Sequence, residues 1–198
     1  MTAAERDSGA GPLVGVLAVQ GDFEAHGRLL RHLGAGVVDV RTPADLDGVQ
    51  ALVLPGGEST AMTLAFEREG LVEPLRELAR SGVPVLGSCA GLIMLDTDHL
   101  AIMDIRANRN AFGRQIRSFE EDVEMDEFPG GPVRGVFIRA PQIAEHGPGV
   151  RILAAVDGHG VAARQGDILA VAFHTELTGD PRLHAWLLAR AAAQSADS

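Results

Sequence analysis

What this chain of 198 residues lacks narrows its possibilities first. It has one cysteine, so no internal disulfide can form, which fits a reducing compartment and a cytoplasmic location. Aromatic residues make up 4% of the chain, too few for a base-stacking surface. No lysine- or arginine-rich run occurs, and the formal net charge is −10, which argues against a nucleic-acid partner. No uninterrupted apolar stretch reaches about eighteen residues, so no helical membrane span is expected. Met1 to Pro12 lacks the charged-then-apolar pattern of a signal peptide. It is small, polar and glycine-containing, and we expect a disordered tail over 1–12 ahead of a single domain over 13–198. No repeat or linker divides that domain.

The rest is ordinary globular composition, 46% hydrophobic and 22% charged, with 24 glycines for tight turns. Leu13 to Val19 is a nearly continuous apolar run, as in a strand covered on both faces. Asp22 to Leu33 follows with helical spacing at Phe23, His26, Leu29, Leu30 and Leu33. Val37–Val40, Ala51–Leu54 and Pro84–Gly87 read as further strands. Ser59 reads as the N-cap of a helix through Phe66, and Leu71 to Arg80 as another helix. This alternation predicts an α/β fold, a mostly parallel central sheet with helices on both faces. Beyond Phe112 the segments Val133–Ile138, Val150–Val156, Val161–Arg164 and Ile168–Phe173 are strand-like. They are expected to extend the main sheet, some of them antiparallel. A last helix is expected from Pro181 to Ala193. Between Asp96 and Asn110 no period wins.

Three segments carry chemistry. Gly87-Ser88-Cys89-Ala90-Gly91 sits between a buried strand and an apolar helix start. That is the pattern of a nucleophile elbow with cysteine as the nucleophile, where flanking side chains would not fit and the thiol meets the positive end of a helix. By itself it reads equally well as a small buried core residue. His174-Thr175-Glu176 closes an apolar strand; strand periodicity puts the imidazole and the carboxylate on one face, where the acid can fix the ring's tautomer. Alone, the two could be solvated residues at a strand end. Together with Cys89 they complete a Cys-His-Glu set. Leu54-Pro55-Gly56-Gly57-Glu58 ends a strand before a helix, a turn whose Gly57 N–H could join the Ala90 N–H in stabilising an oxyanion. The remaining histidines read as ordinary: His26, His32 and His184 in helices, His99, His146 and His159 in loops. None has metal-ligand spacing, and no metal is expected.

These segments resemble the class I, triad-type glutamine amidotransferases, whose fold is flavodoxin-like. Within that class they are similar to the glutaminase subunits of pyridoxal phosphate synthase. The resemblance rests on Gly15-Val-Leu-Ala-Val-Gln20-Gly21, Leu54-Pro-Gly-Gly-Glu-Ser-Thr60, Gly87-Ser-Cys-Ala-Gly-Leu-Ile93, Arg109-Asn-Ala-Phe-Gly-Arg-Gln115, Phe137-Ile-Arg-Ala-Pro141 and Phe173-His-Thr-Glu-Leu-Thr178. It implies that Cys89 attacks the side-chain amide of L-glutamine to give a thioester, that His174 moves the proton and that Glu176 orients His174. It further implies that Gly56, Gly57, Glu58, Arg109, Ile138 and Arg139 hold the glutamine, an arginine fork suiting its carboxylate. It implies a partner, a β/α-barrel synthase subunit forming a large ring, which receives the ammonia and makes pyridoxal 5'-phosphate, so that no cofactor is expected on this chain. Gln20 matches a position near that contact. The chain departs from the family pattern at Thr175, usually proline, at Ser88, usually threonine, and in a shorter segment between Cys89 and Arg109. Other readings are a class I glutaminase of another pathway, an α/β cysteine hydrolase acting on esters, and a non-catalytic module of the same fold.

Overall fold

The computed structural model describes residues 11–109 and 118–196. The first half alternates as the apolar runs dictate: β1 (Leu13–Leu17), α1 (Phe23–His32), β2 (Gly36–Val40), a 3₁₀ turn (Pro43–Leu46), β3 (Ala51–Leu54), α2 (Ser59–Arg68), α3 (Val72–Arg80), β4 (Val85–Ser88) and α4 (Ala90–Leu95). The second half is mostly strands: β5 (Ile105–Asn108), β6 (Ser118–Val123), β7 (Val133–Ile138), β8 (Gln142–His146), β9 (Arg151–Val156), β10 (His159–Gln165) and β11 (Ile168–Val171), closed by α5 (Arg182–Ala196).

Strands β2, β1, β3, β4 and β11 lie side by side in parallel. Every residue of β3 and β4 is buried, so side chains pointing to either face are covered, as a parallel sheet flanked by helices requires. Beyond β11 the sheet turns antiparallel through β10, β8 and β5, with β9 also on β10. The chain order thus returns β11 to the centre, beside β4. The C-terminal ends of the central strands carry the chemistry-bearing loops of both halves, the usual place for a site in such a sheet.

Several expectations need correction. Val133–Ile138 does not join the main sheet. As β7 it pairs with β6 in a separate two-stranded antiparallel sheet, joined to the main body by an isolated bridge from Val136 to His174 and by Thr178 Oγ1 donating to Arg134 O at 3.3 Å. One face of this ribbon is apolar and docks: Phe119 stacks on Phe137 at 4.6 Å between centroids, and Phe137 meets Phe173 at 5.2 Å. Gly135 leaves room for the Phe173 ring. The other face is solvated, with Arg134 bridging Glu120 and Asp122 across the strands. The N-cap of α2 is Glu58, not Ser59: its carboxylate accepts from Thr60 N at 3.0 Å and Ala61 N at 2.7 Å. His146 closes β8 and His159 opens β10, neither in a loop.

The ambiguous stretch after α4 is organised by one buried carboxylate. Asp96 accepts from Asp98 N at 2.9 Å and from Ala107 N at 3.2 Å, and it lies 2.7 Å from His99 Nδ1. That pattern depends on polar partners rather than on period, and leads the chain into β5. Of the expected tail, residues 1–10 lie outside the described residues; Gly11 and Pro12 bond to the turn before β2, through Gly34 O and Gly36 N.

Candidate functional site

The chain passes from β4 into α4 through Cys89, whose φ of 50° and ψ of −108° place it in a conformation side chains seldom adopt. Such a residue costs on the order of 1–3 kcal/mol and persists only where its surroundings enforce it. Here the Cys89 N–H is pinned to Val171 O of β11 at 2.8 Å. A side chain at Gly87 would strike the Gly91 backbone, and one at Gly91 would strike Leu54 O, so both glycines are required by space. The thiol, largely buried, points toward the Ile138 carbonyl at 3.9 Å. The first turn of α4 follows it, with the Leu92 N–H bonded back to Cys89 O at 3.1 Å and the Ala90 and Gly91 N–H groups ahead of any intrahelical acceptor.

His174 faces the same thiol from beyond β11. Its backbone is held by Val136, donating to Val136 O at 2.9 Å and accepting from Val136 N at 3.2 Å. Glu176 lies in the turn that follows, not on a strand; the bridge plus the turn, rather than strand alternation, brings its Oε1 to 2.6 Å from His174 Nδ1. Both side chains are buried. Burial works against charge on His174, but hydrogen bonding to Cys89 and Glu176 outweighs it and holds the imidazole up at about 10. Burial likewise opposes ionisation of Glu176, and His26 and His174 overcome it, keeping the carboxyl well below the usual carboxylate range.

The structure brings the other predicted residues around the same point. Gly57, Glu58, Cys89, Ala90, Arg109, Ile138 and Arg139 line one open cleft of about 180 Å³. Gly56 packs against the His174 ring, where any larger side chain would collide. The Gly57 backbone is held close to Gln20, whose Oε1 accepts from the Glu58 N–H at 2.8 Å. The Glu58 carboxylate, however, is engaged in capping α2 and is pulled below its ordinary range chiefly by the Thr60 and Ala61 N–H groups. Arg109 reaches across to Thr60 Oγ1 at 3.2 Å. The Asn110 to Gln115 part of its motif lies outside the described residues. Arg139 has a φ of 46° and an exposed side chain at the cleft rim.

Two residues read as ordinary helical histidines belong to this assembly. His26 of α1 and His184 of α5 are completely buried, and their rings touch: His26 Nδ1 lies 2.8 Å from His184 Nε2. On its other side His26 Nε2 is 3.1 Å from Ser88 Oγ and 3.3 Å from Glu176 Oε1. The signal was present in the sequence, because His26 falls on the apolar stripe of α1, and His184 stands one turn from Leu187 and two from Ala191. A titratable residue on a buried helix face needs a partner.

Residues 16–193 match the SNO glutamine amidotransferase family. A pyridoxal 5'-phosphate synthase subunit PdxT from Acidothermus cellulolyticus is 49% identical over 198 residues, covering 93% of this chain and 96% of that one. Another PdxT, from Mycolicibacterium vanbaalenii, is 50% identical over 185 residues, covering 87% and 94%. Among solved structures, a glutamine amidotransferase superposes with a TM-score of 0.84 at 42% identity, covering 90% of this chain and 98% of that one. PurLQS from Thermotoga maritima, at 16% identity and a TM-score of 0.71 over 90% of this chain and 98% of its own, shares the fold.

Proposed function

Because the chain belongs to the SNO glutamine amidotransferase family and is thereby a glutaminase, we propose that it releases ammonia from free L-glutamine through a thioester on Cys89, as the glutaminase subunit of a pyridoxal 5'-phosphate synthase. The observation that carries this reading is the His174 ring, bound at Nδ1 to a buried carboxylate at 2.6 Å while also facing the Cys89 thiol.

In this mechanism the Cys89 sulfur adds to the amide carbon of glutamine. His174, whose ring already holds the proton shared with Cys89, delivers it to the departing nitrogen, so ammonia leaves and the thioester remains. Water then attacks the thioester, gives its proton to His174, and the sulfur departs with glutamate formed. Glu176 fixes the ring with its proton on Nδ1. The oxyanion formed in each step is met by the N–H groups of Ala90 and Gly57. Arg109 and Arg139 hold the substrate carboxylate, with Gly56, Gly57, Glu58 and Ile138 shaping the cleft around its side chain.

The ammonia passes to a barrel-type synthase subunit, on whose ring the glutaminase docks from outside, in the cytoplasm. A synthase partner is supported by the naming of the relatives as pyridoxal 5'-phosphate synthase subunits. No helix among the described residues is long and apolar enough to cross a membrane. The test is labelling with a glutamine-like electrophile, such as a diazoketone, followed by mass spectrometry. A single adduct on Cys89, with glutamate release abolished in Cys89→Ala, supports the reading. An inert thiol, or residual turnover in that variant, overturns it.

A further inference from the structure

We propose that His26 is a positioning residue for this reaction: locked in its Nε2–H tautomer by His184, it presents a second proton to Glu176 and holds that carboxylate against His174. The inference rests on the glutaminase reading of the site.

The proton positions follow from hydrogen-bond accounting. Among the described residues His184 Nδ1 is buried without a partner. Buried N–H groups are rarely left without an acceptor, whereas under-satisfied acceptors are somewhat commoner. His184 therefore carries its proton on Nε2, which is the atom 2.8 Å from His26 Nδ1. His184 donates that bond, and His26 Nδ1 accepts it. With Nδ1 accepting, the His26 ring carries its proton on Nε2, facing Ser88 Oγ at 3.1 Å and Glu176 Oε1 at 3.3 Å. Burial also favours a neutral His184, pushing its ring down to about 3.

The polar groups bonded to His26 come from three separate parts of the chain. Ser88 ends β4, Glu176 lies in the turn after β11 and His184 belongs to α5. Asp180, near His184, is engaged by Arg182 at 2.6 Å. Glu176 Oε1 thus receives His174 Nδ1–H from one side and meets the His26 proton on the other, while Ser88 ties the same relay to the residue before the nucleophile. A histidine whose only task was to fill the core would be replaceable by an apolar residue of similar size.

The test begins on the native chain. Long-range ¹H–¹⁵N correlation of the histidine rings is expected to show His26 and His184 both protonated at Nε2 alone. A proton on His184 Nδ1, or His26 protonated only at Nδ1, overturns the proposal. Glutamate release is then measured with a pyridoxal 5'-phosphate synthase barrel subunit present. His26→Leu is expected to lower kcat about tenfold, with KM for glutamine unchanged. Its acidic limb of kcat/KM moves to higher pH, because Glu176 has lost a donor. His26→Gln, whose amide nitrogen reaches the Nε2 position, restores most of the rate. A purely structural histidine would give a Leu variant with a lower melting temperature but native kcat per folded molecule, and no rescue by Gln; that result also overturns the proposal. If the Leu variant does not fold, the native tautomers and the Gln variant decide. A native chain with no glutaminase activity sinks the functional reading, and the tautomers still judge the relay.

Discussion

The His174 ring has one side sealed and one side open. On the sealed side lie Glu176, His26, Ser88 and His184, all buried and joined by contacts of 2.6–3.3 Å. On the open side lie Gly57, Glu58, Arg109, Ile138 and Arg139, all exposed around the cleft. Buried polar groups are costly unless paired, and all but Glu176 Oε2 and His184 Nδ1 on this side are paired among the described residues, so the sealed side must be built by the fold itself. Exposed arginines keep their hydration and can stand apart until a carboxylate arrives. The groups that tune the reacting atoms are thus fixed in advance, and those that recognise the substrate are not.

If that contrast is right, damage to the sealed side is severe and affects kcat. Glu176→Gln leaves the shape but removes the charge, and is expected to lower kcat by about 10³–10⁴-fold while barely changing KM, as expected when a triad carboxylate becomes an amide. Steady-state glutaminase assays check this; a loss confined to KM would erase the distinction between the two sides. On the open side, Arg109→Ala is expected to raise KM for glutamine roughly tenfold with kcat nearly intact, the scale of one charge-assisted bond at a wet surface. The same assay with a glutamine analogue lacking the α-carboxylate should show no further effect of the substitution.

The smallest expected effect is on stability. His174 is raised from 6.5 to about 10, so its stabilising proton is fully present below pH 6.5 and is lost as pH rises through about 10. Glu176 is lowered from 4.5, so its contribution is present above pH 4.5 and is lost as pH falls below that value. Urea melts should therefore show the native chain's advantage over Glu176→Gln to be greatest between pH 4.5 and 6.5 and narrowing toward 10. An advantage that does not vary with pH would mean that the pair's charges contribute nothing to the fold.

The parallel half of the fold was legible because buried strands and amphipathic helices announce themselves by period. Strands β6 and β8 were not: Ser118–Val123 and Gln142–His146 are polar, and ion pairs and strand neighbours hold them. The elbow was legible because two glycines and a cysteine at a strand-helix junction satisfy a steric demand. The adjacency of His174 and Glu176 was also legible, though a bridge and a turn produce it rather than a strand. Glu58 was placed in the cleft but not at the helix cap, since Ser59 is the commoner capping residue. His26 and His184 were missed because helical spacing shows which residues face inward and not what they meet across the core. They are separated by 158 positions in sequence and by 2.8 Å in space.

The most direct test is glutamate release from L-glutamine by the full chain, alone and then mixed with a barrel-type pyridoxal 5'-phosphate synthase subunit. The expected result is weak turnover alone and strong stimulation by the barrel subunit. Absence of turnover in both mixtures would contradict the glutaminase assignment, whereas turnover indifferent to the barrel subunit would contradict the partner.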